Sequence, residues 1–223
     1  MPTIPRYAIL SACLFLTACI VPVPIIVPVD APDNCSRPLA ATKQIDRSKL
    51  AVDYYEPTAN DGLSAEERRL YDLIMDYRQS IGLPTIPLSK SLTLVAGRHA
   101  EDTQKNLMPS GGPKRGTNFH SWSDMDYYPD HRNAKLMWQA PRRLGTPYCG
   151  NGYEISAWGY TDVEGVFRMW ASSSTHRQLI ANTDGFRSKN WQAIGVGIAR
   201  GGPNGASVYH VWFGEQRDPA GRP

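Results

Sequence analysis

Residues 191–215 read "WQAIGVGIARGGPNGASVYHVWFGE". Side chains alternate with a period of two on either side of Gly202-Pro203-Asn204-Gly205, the composition of a tight turn, so the stretch predicts two alternating strands. The periodicity upstream is different. In "LSAEERRLYDLIMDYRQSIGLP", residues 63–84, Ser64 and Glu67 form a capping box, and Leu70, Leu73, Ile74, Tyr77 and Ile81 recur at helical spacing before Gly82 and Pro84 stop the run. A second helix is expected within residues 89–107, with Leu92, Val95, Ala96, His99, Ala100, Thr103 and Leu107 on one face. A third starts at Asp162 and buries Val163, Val166, Phe167 and Trp170, and "THRQLIAN", residues 175–182, adds a short turn. Helices come first and strands close the chain, which makes the class α+β, with an antiparallel sheet.

The chain of 223 residues is long enough for one domain with appendages, and 41% apolar composition suffices for a core. Its 24 basic and 21 acidic residues are spread without long runs, a balance that argues against nucleic acid as the main partner. The first residues, "MPTIPRYAILSACLFLTAC", hold one basic side chain, Arg6, then an apolar stretch from Tyr7 to Ala18, then a cysteine. That stretch is shorter than the roughly 20 apolar residues a spanning helix needs, so residues 1–18 are expected to be an export signal. Leu16-Thr17-Ala18-Cys19 resembles the lipobox of bacterial lipoproteins, in which the cysteine is lipid-modified and becomes the first residue. Leu10-Ser11-Ala12-Cys13 also fits the pattern, but leaves a shorter apolar core. With lipidation at Cys19, the cysteines that remain are Cys35 and Cys149, an even pair in an exported chain and therefore an expected disulfide, with two buried free thiols as the alternative. Ile20 follows Cys19, so the aspartate that retains some lipoproteins in the inner membrane is absent; in a Gram-negative cell the outer membrane is favoured.

Residues 19–62 are proline-rich, beginning "IVPVPIIVPVDAPDNC" after Cys19, and are expected to form an extended tether between membrane and domain. Residues 63–217 are expected to form the folded domain, and 218–223 a C-terminal tail. Within the domain, residues 108–150 are rich in Gly, Pro, Asp and Asn and show no sustained period, the signature of a long irregular segment of the kind that often carries function.

Several stretches in order resemble one family: "LIMDYRQSIGLPTIPL" (73–88), the histidine of "NFHSWSD" (118–124), the glutamate of "GYEISAW" (152–158), and "MWASSSTHRQLI" (169–180) leading to "IGVGIA" (194–199) and "VYHVWFGE" (208–215). Together they resemble the CAP superfamily, which comprises the cysteine-rich secretory, antigen five and pathogenesis-related class one proteins and their bacterial SCP-like relatives, here of a lipoprotein subtype. The resemblance implies a three-layer α/β/α sandwich around a central antiparallel sheet, with a broad cleft lined by histidines and glutamates. His120 matches the family's first histidine and Glu154 its Gly-Glu-Asn glutamate. Tyr153 and Ile155 replace the flanking glycine and asparagine. Ser173 stands where plant and animal members carry a second glutamate, and Asn190 falls near their second histidine. Bacterial relatives have instead a Ser-x-x-His-Arg segment, which Ser173 to Arg177 matches, making His176 the second candidate histidine.

His120, Glu154 and His176 are thus the candidate cleft residues, for binding or for catalysis. Glu154 alternates with Tyr153 and Ile155, so it is either a solvated strand residue or a functional carboxylate. His99, on the apolar stripe of the second helix, and His210, alternating with Val208 and Trp212, read as packed structural histidines; His131 reads as exposed. Glu164 and Arg168 are spaced for a solvated ion pair. His120, His176 and Glu154 are of the ligand types that hold a divalent metal such as zinc, yet they come from distant segments and no His-Glu-x-x-His helix is present. No other cofactor is implied: Walker and dinucleotide fingerprints are absent, and Ser172, Ser173 and Ser174 lack a nucleophile elbow. Tyr127, Tyr128, Trp138, Tyr148, Tyr153 and Trp158 offer aromatic surface to an envelope lipid, glycan or peptide. A lipid-anchored binding module of the bacterial cell envelope is the first reading of function, and a hydrolase with Glu154 as general base on a water held by the histidines is the alternative.

Overall fold

The computed structural model describes residues 35–223. The expected export signal, Cys13, the expected lipidation site Cys19 and the first part of the expected tether lie outside the described residues. Strands β1 (Tyr153–Tyr160), β2 (Ala193–Arg200) and β3 (Ser207–Gly214) form an antiparallel sheet in the order β1-β3-β2. Helix α1 (Ala65–Ser80) and helix α5 (Val163–Ser172) cover one face and helix α2 (Lys90–Asp102) the other, giving the α+β class and the three layers of an α/β/α sandwich. Between α2 and the sheet's first strand lie a π-helical turn (Thr103–Leu107), a 3-10 turn (Met108–Ser110) and two short α-helices, α3 (Ala134–Trp138) and α4 (Ala140–Arg143), and α6 (Ser174–Ile180) follows α5.

The period of two in the strands sorts their side chains between these layers. Ile155, Val196 and Val211 share one rung of the register, and they pack with Leu70, Ile74, Val166 and Trp170. On the opposite face β2 presents Gly195 and Gly197. A Cβ on Gly195 would lie 2.1 Å from the carbonyl carbon of Leu92, and one on Gly197 would lie 2.1 Å from that of Ala96. The alternating glycines therefore let α2 lie directly on the strand backbone, closer than any side chain would allow.

Helix ends are fixed by the residues that the sequence marks. Ser64 Oγ accepts from the Glu67 amide, and Glu67 Oε2 accepts from the Ser64 amide at 2.7 Å, a complete capping box. The other oxygen of Glu67 accepts from the Ile198 amide at 2.9 Å, so the same buried carboxylate ties α1 to β2. Asp162 caps α5 through the Gly165 amide. Ser89 caps α2, and Asp218 accepts from Ser89 Oγ and from the Ser91 amide, each at 2.7 Å, so the segment after residue 217 is attached to the start of that helix.

Residues 35–62 follow the surface of the domain. Tyr54 is fully buried beside Trp122, and Asn60 Nδ2 donates to the Ile198 carbonyl at 2.9 Å. Cys35 and Cys149 form a disulfide across 114 residues of sequence, a closure for which chain entropy alone predicts about 4–5 kcal/mol. The expected Glu164–Arg168 pair is replaced by another: Glu164 accepts from Arg69 of α1 at 2.9 Å, because α1 and α5 lie side by side on the sheet. Among the described residues no helix is long and apolar enough to cross a membrane.

The glycine contacts make a direct prediction. Gly197→Ala, whose methyl would meet helix backbone, is expected to destabilise the protein by about 1–3 kcal/mol or more, whereas Gly185→Ala, with only Gln178 nearby, should stay within about 0.5 kcal/mol. Denaturant unfolding of both variants checks this; equal midpoints would show that α2 does not sit against the strand.

Candidate functional site

Glu154 lies on β1 opposite Trp212 of β3, on the face that α2 covers. His210, two residues along β3 opposite Ser156, shares that face. Because the glycines of β2 let α2 down onto the sheet, His99 from the last turns of the helix reaches the same layer. Its ring stacks on His210 with centroids 3.8 Å apart and 19° between planes, and on its other side against Trp122 at 4.0 Å and 6°. All three of Glu154, His99 and His210 are buried.

The carboxylate gathers three imidazoles. His210 Nδ1–H donates to Glu154 Oε1, and His210 Nε2 accepts from Thr103 Oγ1 at 3.2 Å, so this ring is held in one tautomer from both sides. His99 Nε2–H donates to the Ser121 carbonyl at 2.9 Å. Its Nδ1 lies 2.7 Å from Glu154 Oε1, an ion-pairing distance, but out of line for a hydrogen bond. His120 Nδ1–H donates to Glu154 Oε2 at 2.8 Å. Burial by itself would raise the Glu154 pKa, but His99 and His210 together with the bonds from His120 and His210 hold it well below the ordinary carboxylate range.

His120 is the member of this cluster that reaches solvent, with 18% of its side chain exposed. It sits in the turn after Asn118, whose Oδ1 accepts from the His120 amide at 3.1 Å. Beyond it opens a cavity of about 340 Å³, walled by Trp138, Tyr153, Leu179 and Phe186, with His120 and His176 on its polar side. His176 is bonded through Nδ1 to Ser173 Oγ at 2.8 Å, and burial, followed by the proximity of the His120 imidazole, lowers its pKa. Tyr127 meets the His120 ring edge-on and shares a 3.0 Å hydrogen bond between its hydroxyl and His131 Nδ1, while burial and the charge of Glu154 push its pKa up to about 12.

The sequence candidates therefore fall in one place: His120 touches Glu154, and His176 lies across the same cavity. Glu154 is buried, so it is not the solvated strand residue the alternation also allowed. His99 and His210 are packed and hydrogen-bonded as expected, but both also meet Glu154, which sequence reasoning missed. Their common signal is a polar residue on an otherwise apolar stripe, and only the strand order places those stripes together. His131 is exposed as expected. The aromatic residues divide. Tyr127, Trp138 and Tyr153 line the cavity, Tyr148 is fully buried with its hydroxyl accepting from the Gln216 amide, Tyr128 lies under Arg132, and Trp158 belongs to a separate groove beside Met108. Ser173 bonds His176, and Asn190 bonds Gln192.

A divalent metal does not fit this carboxylate. Both Glu154 oxygens already meet imidazole nitrogens, and the side chain has no exposed surface. His99, His210 and Glu154 come close enough to suggest a ligand set. Yet the His99 and His210 rings are stacked nearly parallel, so their in-plane lone pairs cannot both point at one ion about 2.0–2.1 Å away.

Comparison with family models and with curated proteins finds no match. Among solved structures, the chain is similar to an outer surface protein of Borrelia burgdorferi, with a TM-score of 0.45 and 18% identity over 73% of this chain and 97% of that one. It is also similar to an extracellular protein of Bacillus anthracis containing an SCP domain, with a TM-score of 0.46 and 15% identity over 72% of this chain and 45% of the other. A cysteine-rich secretory protein of Staphylococcus aureus gives 0.41 and 16% over 68% of this chain and 38% of that one. The match thus spans less than half the length of the Bacillus and Staphylococcus chains.

The buried cluster makes stability depend on pH. Burial and the neighbouring His99 push His210 down to about 4, against the opposing pull of Glu154. A histidine in the unfolded chain titrates near about 6.5, so on acidification the unfolded state takes up this proton first. The contribution of neutral His210 is full above that value and is lost as pH falls toward about 4. Between pH 6.5 and 5 the loss should be about 2 kcal/mol in the native protein and much smaller in His210→Gln. Unfolding midpoints measured across this range decide it, and parallel curves for the two proteins would remove His210 as the cause.

Proposed function

We propose that this chain is a CAP-domain protein of the bacterial cell envelope, anchored by lipid at Cys19, and that its cleft binds an envelope lipid, glycan or peptide. The observation that carries the binding part is the cavity of about 340 Å³, which combines aromatic walls with imidazoles at one side. Trp138, 36% exposed, and Tyr153 present ring surface of the kind that stacks on sugars, acyl chains or aromatic side chains. The order of the "NFHSW", "GYEISAW" and "STHRQL" motifs supports the family assignment, and the apolar run ending at Cys19 supports the anchor.

The hydrolase alternative draws no support from Glu154. A general base must reach the proton it removes, directly or through one water. This carboxylate has no exposed surface, and its pKa is held low by the histidines around it. His120 is the member of the cluster positioned to touch a bound molecule.

Isothermal titration of the mature protein in detergent with phospholipids, glycan fragments and peptides is expected to show saturable binding to one class. Trp138→Ala should weaken that binding about tenfold, equivalent to roughly 1.4 kcal/mol. The reading fails if none of the three classes saturates. For the anchor, Cys19→Ser is expected to abolish lipid modification, read by mass spectrometry of the membrane fraction; an unmodified native chain would refute it.

A further inference from the structure

We infer that His99 and His210 are positioning residues that hold Glu154 so that His120 is fixed as a hydrogen-bond acceptor in the cleft, and that the ligand group docked there is a donor, a hydroxyl or an ammonium. The inference rests on the reading that this cleft binds a ligand, and deepens it.

The argument starts from the carboxylate. An ionised carboxylate can only accept hydrogen bonds, so the His120 nitrogen 2.8 Å from Oε2 must carry its proton. A neutral imidazole has one N–H, and with that proton on Nδ1 the lone pair is left on Nε2. Nε2 is then the ring's acceptor. The tautomer is only as fixed as the carboxylate that sets it, and a glutamate side chain turns freely unless both oxygens are held.

Here both are. His210 donates to Oε1 and cannot release it without losing its own bond from Thr103 Oγ1 on the far side of the ring. His99 lies against the same oxygen at 2.7 Å, clamped between the Trp122 ring and His210. His99 also holds the partner side of the contact: its Nε2–H is bonded to the carbonyl of Ser121, the residue after His120. His99 thus packs against the carboxylate and holds the turn that carries His120. Of the other polar groups lining the cavity, the Tyr127 hydroxyl is engaged with His131, His176 Nδ1 with Ser173, and the Gln178 amide with the Thr175 carbonyl. The acceptor offered by His120 Nε2 therefore selects a ligand that brings a donor.

Long-range proton–nitrogen spectra of the histidine side chains, recorded on the mature protein in detergent at pH 8 without ligand, test this. The His120 signals are identified by their loss in His120→Gln. In the native protein Nδ1 is expected to show the N–H shift and Nε2 the lone-pair shift. His210→Phe should lose this preference and His210→Gln, which keeps a donor toward Oε1, should restore it. A proton on Nε2 of His120 in the native protein overturns the inference, as does an unchanged tautomer in a His210→Phe protein whose amide spectrum remains that of a folded chain. If His210→Phe does not fold, exchange of the His210 Nδ1 proton in the native protein decides: slow exchange supports the clamp, and a rapidly exchanging proton sinks it. Absence of ligand binding beside the expected tautomer would instead defeat the proposed function.

Discussion

The distance between α2 and the sheet controls the rest of the molecule. Gly195 and Gly197 leave no room for even a methyl group between β2 and the helix backbone at Leu92 and Ala96. With side chains there, the helix would stand several ångströms higher, at the spacing of ordinary helix-on-sheet packing. His99 would then lose its stacking on His210 and its approach to Glu154, both of which are contacts under 4 Å. The glycines contribute little packing surface of their own. Their effect is to bring a helical histidine to the same depth as a strand carboxylate.

At that depth a carboxylate is costly unless it is compensated. Glu154 is compensated on both oxygens, and its pKa lies below the ordinary range even though burial pushes the other way. The imidazoles carry the reciprocal cost. His210 is held neutral by burial and by the adjacent His99, which limits how much positive charge the stack takes up. Removing a single partner from such a cluster leaves a buried charge with fewer contacts, and typically costs about 3–5 kcal/mol. The cluster is thus a structural commitment that the protein makes around one residue, and His120 is the side chain that carries it to the cavity.

What the sequence made legible follows from the range of each signal. The capping box at Ser64 and Glu67, the stop at Gly82, the cap at Asp162 and the alternation from Ile194 to Ile198 are local, and each element stands where its residues indicate. The pairing of Cys35 with Cys149 followed from parity. His120 and Glu154 were found through motif resemblance. His99 and His210 were not assigned to the site, because a histidine on an apolar stripe looks the same whether it bonds a carbonyl or a buried glutamate. Deciding between them requires the order β1-β3-β2, which puts His210 beside Glu154, and the helix height set by the glycines. The aromatic residues failed for a related reason: Tyr148 and Trp158 are near Glu154 in sequence, but one is in the core and the other is at the far end of β1.

Ile155, which stands where the resembling family has asparagine, is explained by the same geometry. In a strand the residue after Glu154 must point to the opposite face, and that face is the core beneath α1 and α5. Ile155 is 2% exposed there and packs with Val211 and Val196. A polar side chain at this position would be buried among aliphatic groups with no partner, whatever it did for the glutamate in another backbone. Support for Glu154 therefore has to come from its own side of the sheet, from β3 and from the helix above. His210 and His99 are the residues at those two places, so the apolar neighbour and the paired histidines are consequences of one choice: a glutamate carried by a continuous strand.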